Sequence, residues 1–200
     1  PRVIELLKGS MQELRIGDPA LLSTDVGPVI DRKALGLLEE HVGKMAETGK
    51  IIHQCKVPEA SAHGTFLAPV VVEIDDIGVL GKEVFGPVLH IVRYKASDLD
   101  KVLESIRNTG FGLTLGVHSR IDGMARYVNR RVQVGNVYVN RNMVGAVVGV
   151  QPFGGCGLSG TGPKAGGPHY LHRFATERTL SINTAAVGGD TSLLSLSADR

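Results

Sequence analysis

An acidic and an aromatic residue stand two positions apart in the segment 81–87, Gly-Lys-Glu-Val-Phe-Gly-Pro. In extended backbone, residues two apart point to the same side, so Glu83 and Phe85 would face one space. A carboxylate can accept hydrogen bonds from two ribose hydroxyls, and an aromatic ring can pack on a flat cofactor. A buried turn with a solvated Glu83 explains the same pattern. The residues alone leave these two interpretations equal.

A glycine-rich segment at residues 155–160 matches the pattern G-x-G-x-x-G. A dinucleotide fingerprint also needs a helix directly after it, because the helix N-terminus receives the pyrophosphate. Residues that break helices follow instead: Gly162, Pro163, Gly166, Gly167 and Pro168. Pro163 also stands where the lysine of a P-loop belongs. We do not predict a dinucleotide fingerprint here; a nucleotide-binding protein built on this loop is kept as an alternative hypothesis.

The side chains that could react or bind metal in this region lack partners in the sequence. Cys156 lies among glycines, but a nucleophilic thiolate needs a base or a positive environment, and only Lys164 is near in sequence. His169 and His172 are three residues apart, yet two histidines without a third ligand do not make a metal site. We therefore predict no catalytic residue and no metal ligand, and we interpret these side chains as an inert thiol and ordinary histidines.

The elements that must position these residues follow from hydrophobic periodicity and from turn residues. Asp31 and Ser97 are predicted to cap helices at their N-termini. Helices are predicted at residues 3–14, 31–47, 97–108 and 122–131, with a short helical segment near 169–174. Strands are predicted at residues 50–57, 66–74, 88–94, 113–118, 135–140 and 177–185. The alternation predicts an α/β fold, a mostly parallel sheet covered by helices.

Residues 141–168 form a long stretch without periodicity, which is typical of a functional loop when apolar residues argue against disorder. We predict that residues 1–176 belong to one partial catalytic domain. Residues 177–200 are predicted to form an oligomerisation strand and a tail.

Composition excludes several classes of protein. Apolar residues make up 42% of the 200 residues and charged residues 21%, which is globular composition. The net charge of +2 does not favour nucleic acid or acidic lipid, and no apolar run is long enough to span a bilayer. Two cysteines provide no disulfide framework, so we expect a cytoplasmic protein.

Five segments resemble motifs of the aldehyde dehydrogenase superfamily and occur in that family's order. They are residues 25–30, 81–87, 111–113, 135–140, and 152–155 together with 159–160. The resemblance implies an NAD-dependent enzyme in which Glu83 holds the nicotinamide ribose. It also implies that Phe85 packs near the nicotinamide and that Leu113 lies towards it.

Two further segments indicate which branch of the family the chain resembles. Residues 145–153 and 159–170 resemble the substrate loops of L-glutamate γ-semialdehyde (pyrroline-5-carboxylate) dehydrogenases. The resemblance implies that backbone N–H groups at Gly145 and Ala146 bind the substrate carboxylate, as open backbone amides can. Phe153 would pack on the aliphatic part of the substrate. Residues 183–190 resemble bacterial bifunctional proline-utilisation enzymes, in which FAD would belong to a proline dehydrogenase domain outside this chain.

In this family the nucleophilic cysteine, the general base, the oxyanion-hole asparagine and the Rossmann half precede the segment seen here. The chain is therefore expected to be a fragment that is inactive alone and that forms a homo-oligomer through its terminal strand in the intact enzyme. The alternative is a non-catalytic oligomerisation or interaction module derived from the same fold. For this segment we expect no membrane span and no nucleic-acid partner.

Overall fold

The computed structural model describes residues 1–183 of the chain. The helices of this range are α1 Arg2–Gln12, α2 Arg32–Thr48, α3 Leu99–Asn108 and α4 Asp122–Asn129. The strands are β1 Lys50–Gln54, β2 Val70–Ile74, β3 Val88–Val92, β4 Phe111–Gly112, β5 Thr114–Val117, β6 Asn136–Val139 and β7 Cys156–Gly157. Short 3-10 helices cover Glu59–Ser61, Ile77–Val79, Ala96–Asp98 and Tyr170–Phe174.

The first layer consists of α2 packed on a three-stranded sheet in the order β1-β2-β3. The central strand β2 is Val-Val-Val-Glu-Ile, a nearly continuous apolar run that suits a strand buried on both faces. It pairs antiparallel with β1 and parallel with β3. The buried core of this layer contains Met45, Val70, Val72 and Ile74.

The second layer is a β-α-β unit. Strands β5 and β6 pair in parallel and are connected through α4, while α3 packs on the same core. That core contains Leu103, Val117, Val128 and Val132. Apolar residues four apart, such as Leu99 and Leu103 in α3, place one face of the helix on the sheet.

The α/β fold is therefore confirmed, and the structure adds detail to the predicted sheet. Parallel pairing holds for β2–β3 and β5–β6, whereas β1–β2 and β4–β7 are antiparallel. Within residues 1–183 the strands form separate two- and three-stranded sheets. Periodicity reports which face of a strand is buried, but it does not report the strand's partner.

Most element ends follow local chemistry. Asp31 caps α2 as predicted, because its Oδ1 accepts a hydrogen bond from the Ala34 N–H at 2.7 Å. The predicted cap at Ser97 is wrong: a 3-10 turn over Ala96–Asp98 comes first, and Asp98 stands before α3. Strand β2 begins at Val70, after Pro69, since proline has no N–H to donate to a ladder.

Residues 177–183 are exposed and lie outside any strand in the single chain. The predicted strand at residues 177–185 is not formed by residues 177–183 in the single chain, and residues 184–185 lie outside the described residues. Its role in joining two chains and the predicted domain boundary stay predictions. Among residues 1–183, none of the helices has the length and apolar content needed to cross a lipid bilayer.

Candidate functional site

The turn 81–87 lies between α2 and the start of β3. Glu83 and Phe85 line one cavity of about 460 Å³, whose opposite wall is the α2 side chains from Ala34 to Met45. The Phe85 ring is 90% exposed, and Glu83 is exposed as well. The turn is therefore not the buried one of the alternative interpretation, and both side chains are available to a ligand.

A second cavity of about 680 Å³ joins the two layers of the fold. Glu83 lines it from the first layer, and Leu113 lines it from the junction between β4 and β5. Ser159 of the glycine-rich loop also borders this cavity. The structure thus brings Glu83 and Leu113 to one space, although they are 30 positions apart in the chain.

Two histidines form part of the wall of the second cavity. His41 of α2 and His90 of β3 lie with their Nε2 atoms 2.9 Å apart, and their rings meet edge to face. Burial lowers the pKa of both imidazoles; the Lys44 ammonium lowers the pKa of His41 further, and His41 lowers that of His90. One neutral ring can donate to the other, whereas two protonated rings would repel. The two imidazoles are therefore mainly neutral at pH 7.

The glycine-rich loop is attached to the second layer through β7. Strand β7 pairs with β4, which places Cys156 opposite Gly112. The Gly112 N–H donates to Ser159 Oγ at 3.0 Å. No helix follows the glycines before the 3-10 turn at Tyr170–Phe174, so the segment 155–160 lacks the helix that a dinucleotide fingerprint requires.

The predicted substrate residues lie on a different loop. Gly145 and Ala146 are exposed, and Gly145 has φ +95°, a conformation that glycine adopts without strain. Phe153 exchanges backbone hydrogen bonds with Ala165 at 3.0 and 2.8 Å, so the loop is fixed at its far end. Neither of the two cavities that Glu83 lines includes Gly145, Ala146 or Phe153.

Three polar residues that hold this loop were missed by the sequence reasoning. Asn136 and Tyr138 of β6 are buried, and Lys164 is half-buried beside them. The sequence places Lys164 only near Cys156, whereas in the structure its Nζ donates to the Gly135 carbonyl oxygen and to Asn136 Oδ1. The alternation of β6 was a usable signal, because residues two apart share a face of a strand.

The sequence predicts that His169 and His172 are not metal ligands. Their rings lie with centroids 5.6 Å apart, and both residues are exposed. Within the part of the chain that the structure describes, no three His, Cys, Asp or Glu residues come together as a metal site would require.

Several known proteins are similar to this chain. It is 54% identical over 181 residues to the bifunctional protein PutA of Klebsiella aerogenes, covering 88% of this chain and 14% of that protein. It is 39% identical over 182 residues to 1-pyrroline-5-carboxylate dehydrogenase of Geobacillus sp. (strain WCH70), covering 90% of this chain and 34% of that protein. The chain therefore spans a minor part of the curated relatives it matches.

Solved structures agree with these relatives. A crystal structure of a Bradyrhizobium japonicum proline utilization A (PutA) mutant superimposes with a TM-score of 0.85 at 57% identity, over 94% of this chain and 19% of that one. A Thermus 1-pyrroline-5-carboxylate dehydrogenase with bound NAD gives 0.77 at 36% identity, over 86% of this chain and 33% of that one. The family model for aldehyde dehydrogenases matches residues 1–180. This chain belongs to the aldehyde dehydrogenase family.

Proposed function

We propose that the chain is the C-terminal segment of an NAD-dependent dehydrogenase that oxidises L-glutamate γ-semialdehyde to glutamate in proline catabolism. The observation that carries this proposal is the 54% identity over 181 residues to a bifunctional PutA protein. The match to 1-pyrroline-5-carboxylate dehydrogenases over 90% of the chain supports the same substrate.

The residues around the first two cavities suit a dinucleotide. Glu83 forms no hydrogen bond or ion pair with any other described residue, so its carboxylate is available to two ribose hydroxyls. The exposed Phe85 ring offers a flat apolar face, and Leu113 adds an apolar side chain on the opposite layer. When bound, NAD⁺ supplies the hydride acceptor; these three residues would hold and orient its nicotinamide half.

The loop around Gly145 suits a carboxylate. The Ala146 N–H makes no hydrogen bond with any residue in the described range, and both residues of the peptide are exposed. Open backbone amides bind anions, and the substrate carries an α-carboxylate far from its aldehyde. Phe153, which is 37% exposed, would pack on the aliphatic carbons between them.

The reacting groups of the proposed enzyme lie outside this chain. By family resemblance the nucleophilic cysteine and the general base precede these residues, and FAD belongs to a separate proline dehydrogenase domain. We place the enzyme in the cytoplasm, which the two free thiols Cys55 and Cys156 support.

The experiment compares this 200-residue chain with the full-length protein, meaning the product of the whole reading frame that contains it. With L-glutamate γ-semialdehyde, the full-length protein is expected to form NADH and the isolated chain is not. In the full-length protein, Glu83→Gln is expected to raise the KM for NAD⁺ about tenfold, because a charge-assisted hydrogen bond is lost.

Glu59→Gln is the matched control, since Glu59 is also exposed and lines neither cavity. It is expected to leave the KM for NAD⁺ unchanged. NADH formation by the isolated chain, or none by the full-length protein, would contradict the proposal. Equal KM values for NAD⁺ in the two variants would show that Glu83 does not bind the cofactor.

We also propose that the enzyme is a homo-oligomer joined through residues 177–185. Leu180 and Ile182 are exposed in the single chain, and an extended segment with exposed apolar side chains can add as a strand to the sheet edge of another chain. Light scattering should give a mass above the monomer for the 200-residue chain and the monomer mass after removal of residues 177–200. A monomer in both cases would contradict this proposal.

A further inference from the structure

Tyr138 joins the interior of the second layer to the loop proposed to bind the substrate carboxylate. It lies in β6, and it is only 5% exposed. Its hydroxyl is 3.2 Å from the carbonyl oxygen of Gly145, seven residues further along the chain. A buried tyrosine hydroxyl needs a hydrogen-bond partner, and here that partner is the backbone of an otherwise exposed loop.

The neighbouring side chains set the direction of this hydrogen bond. Lys164 Nζ is a donor only, so the Asn136 atom 3.3 Å from it is the amide oxygen. The Asn136 amide nitrogen therefore faces the Tyr138 hydroxyl oxygen at 3.4 Å and the Pro152 carbonyl oxygen at 3.1 Å. Since the Tyr138 oxygen accepts from Asn136, its own proton is directed to Gly145.

This direction determines how the peptide unit between Gly145 and Ala146 is presented. In a trans peptide, the carbonyl oxygen and the following N–H point to opposite sides. The Gly145 carbonyl is held towards Tyr138 in the interior, so the Ala146 N–H points away from it. Gly145 can take this orientation because its φ is +95°, where a side chain would cause strain.

We propose that Tyr138 is a positioning residue for substrate specificity, which orients the Gly145–Ala146 peptide so that its N–H receives the substrate's α-carboxylate. This inference rests on the proposed function, because it concerns the same substrate site. Lys164 and Asn136 act indirectly, because they orient the Tyr138 hydroxyl, which in turn orients the Gly145–Ala146 peptide. None of the three touches the reacting atoms.

The test measures KM and kcat of the full-length protein with two aldehydes, L-glutamate γ-semialdehyde and pentanal, which has the same chain length and no carboxylate. Tyr138→Phe is expected to raise the KM for the semialdehyde about fivefold, the loss of one buried hydrogen bond. The values of kcat, and the KM for pentanal, are expected to stay unchanged, since the binding of the carboxylate alone is weakened.

A second variant tests the direction of the hydrogen bonds. In Asn136→Asp the side chain keeps its shape but becomes an acceptor, so the Tyr138 hydroxyl would turn to donate to it and leave the Gly145 carbonyl. A rise in the KM for the semialdehyde is expected. The Pro152 carbonyl also loses its donor in this variant, so the KM for pentanal is compared in Tyr138→Phe only. Tyr127→Phe is the matched control, because that hydroxyl bonds Asp100 on the surface, at 2.5 Å. It should change neither KM.

The outcomes separate this inference from the proposed function. If the wild-type protein does not prefer the semialdehyde over pentanal, the proposed substrate is wrong. If it does prefer the semialdehyde, and Tyr138→Phe and Asn136→Asp leave the KM for the semialdehyde unchanged, the positioning role of Tyr138 is wrong. An equal rise of both KM values in Tyr138→Phe also overturns it, because a general disturbance of the fold would act on both aldehydes.

Discussion

Replacing Gly135 with alanine is expected to lower the free energy of unfolding of the chain by about 3 kcal/mol, at the upper end for overpacking. Gly135 stands directly before β6, where the backbone of the glycine-rich loop crosses it. A Cβ at this position would overlap the Gly154 carbonyl oxygen and lie 2.7 Å from its carbonyl carbon and 2.9 Å from Gly155 Cα. These are backbone atoms, which cannot rotate away as a side chain can.

The same substitution would also disturb the hydrogen bonds around this crossing. The Gly135 N–H donates to the Gly112 carbonyl oxygen at 3.0 Å, and its carbonyl accepts from Lys164. Moving the two segments apart therefore weakens both the attachment of β4 and the support of the substrate loop. Urea denaturation of the 200-residue chain, followed by circular dichroism, measures the change.

Gly43→Ala is the matched control for this substitution. Gly43 lies inside α2, and a Cβ there would meet nothing within 4 Å. Alanine is the better helix former, so a gain of about 0.5–1 kcal/mol is expected. Ordinary surface substitutions change the free energy of unfolding by no more than about 0.5 kcal/mol. A decrease of that size for Gly135→Ala would contradict the close contact between Gly135 and the Gly154–Gly155 backbone.

Leu38→Ala is the second substitution with a large expected effect, a loss of about 3 kcal/mol in the free energy of unfolding. Leu38 is 1% exposed in the middle of α2. Its side chain lies directly against Gly86, where a Cβ would collide with both methyl groups. Truncation removes apolar burial and leaves a cavity beneath the turn that carries Glu83 and Phe85.

Leu37→Ala provides the control in the same helix, with the same atoms removed. Leu37 is 50% exposed, so its loss should be within about 0.5 kcal/mol. The same urea titration of the 200-residue chain applies. Equal losses for Leu37 and Leu38 would show that the wrong face of α2 has been assigned to the core.

Much of the local structure could be predicted from the sequence, because helix ends and turns depend on neighbouring residues. Asp31 begins α2 in the structure as its type predicts. The prolines and glycines after residue 160 predicted that no helix follows the segment 155–160, and none begins before Tyr170 in the structure. Ser97 does not cap α3, because the backbone forms a 3-10 turn over Ala96–Asp98 before the helix begins. The residue types alone do not predict this turn.

The order of the family motifs in the sequence was sufficient to identify the aldehyde dehydrogenase family, which the match over residues 1–180 confirms. Only the tertiary structure decided which distant residues meet. The pairing of β4 with β7, the contact of His41 with His90 and the bonds from Lys164 to the start of β6 each join segments far apart in the chain. Periodicity records which face of an element is buried, whereas partners are chosen by the packing of whole layers. Local motifs in the sequence are therefore enough to identify the family. The hydrogen bond by which Tyr138 supports the proposed substrate loop depends on how β6 and that loop pack, which only the tertiary structure shows.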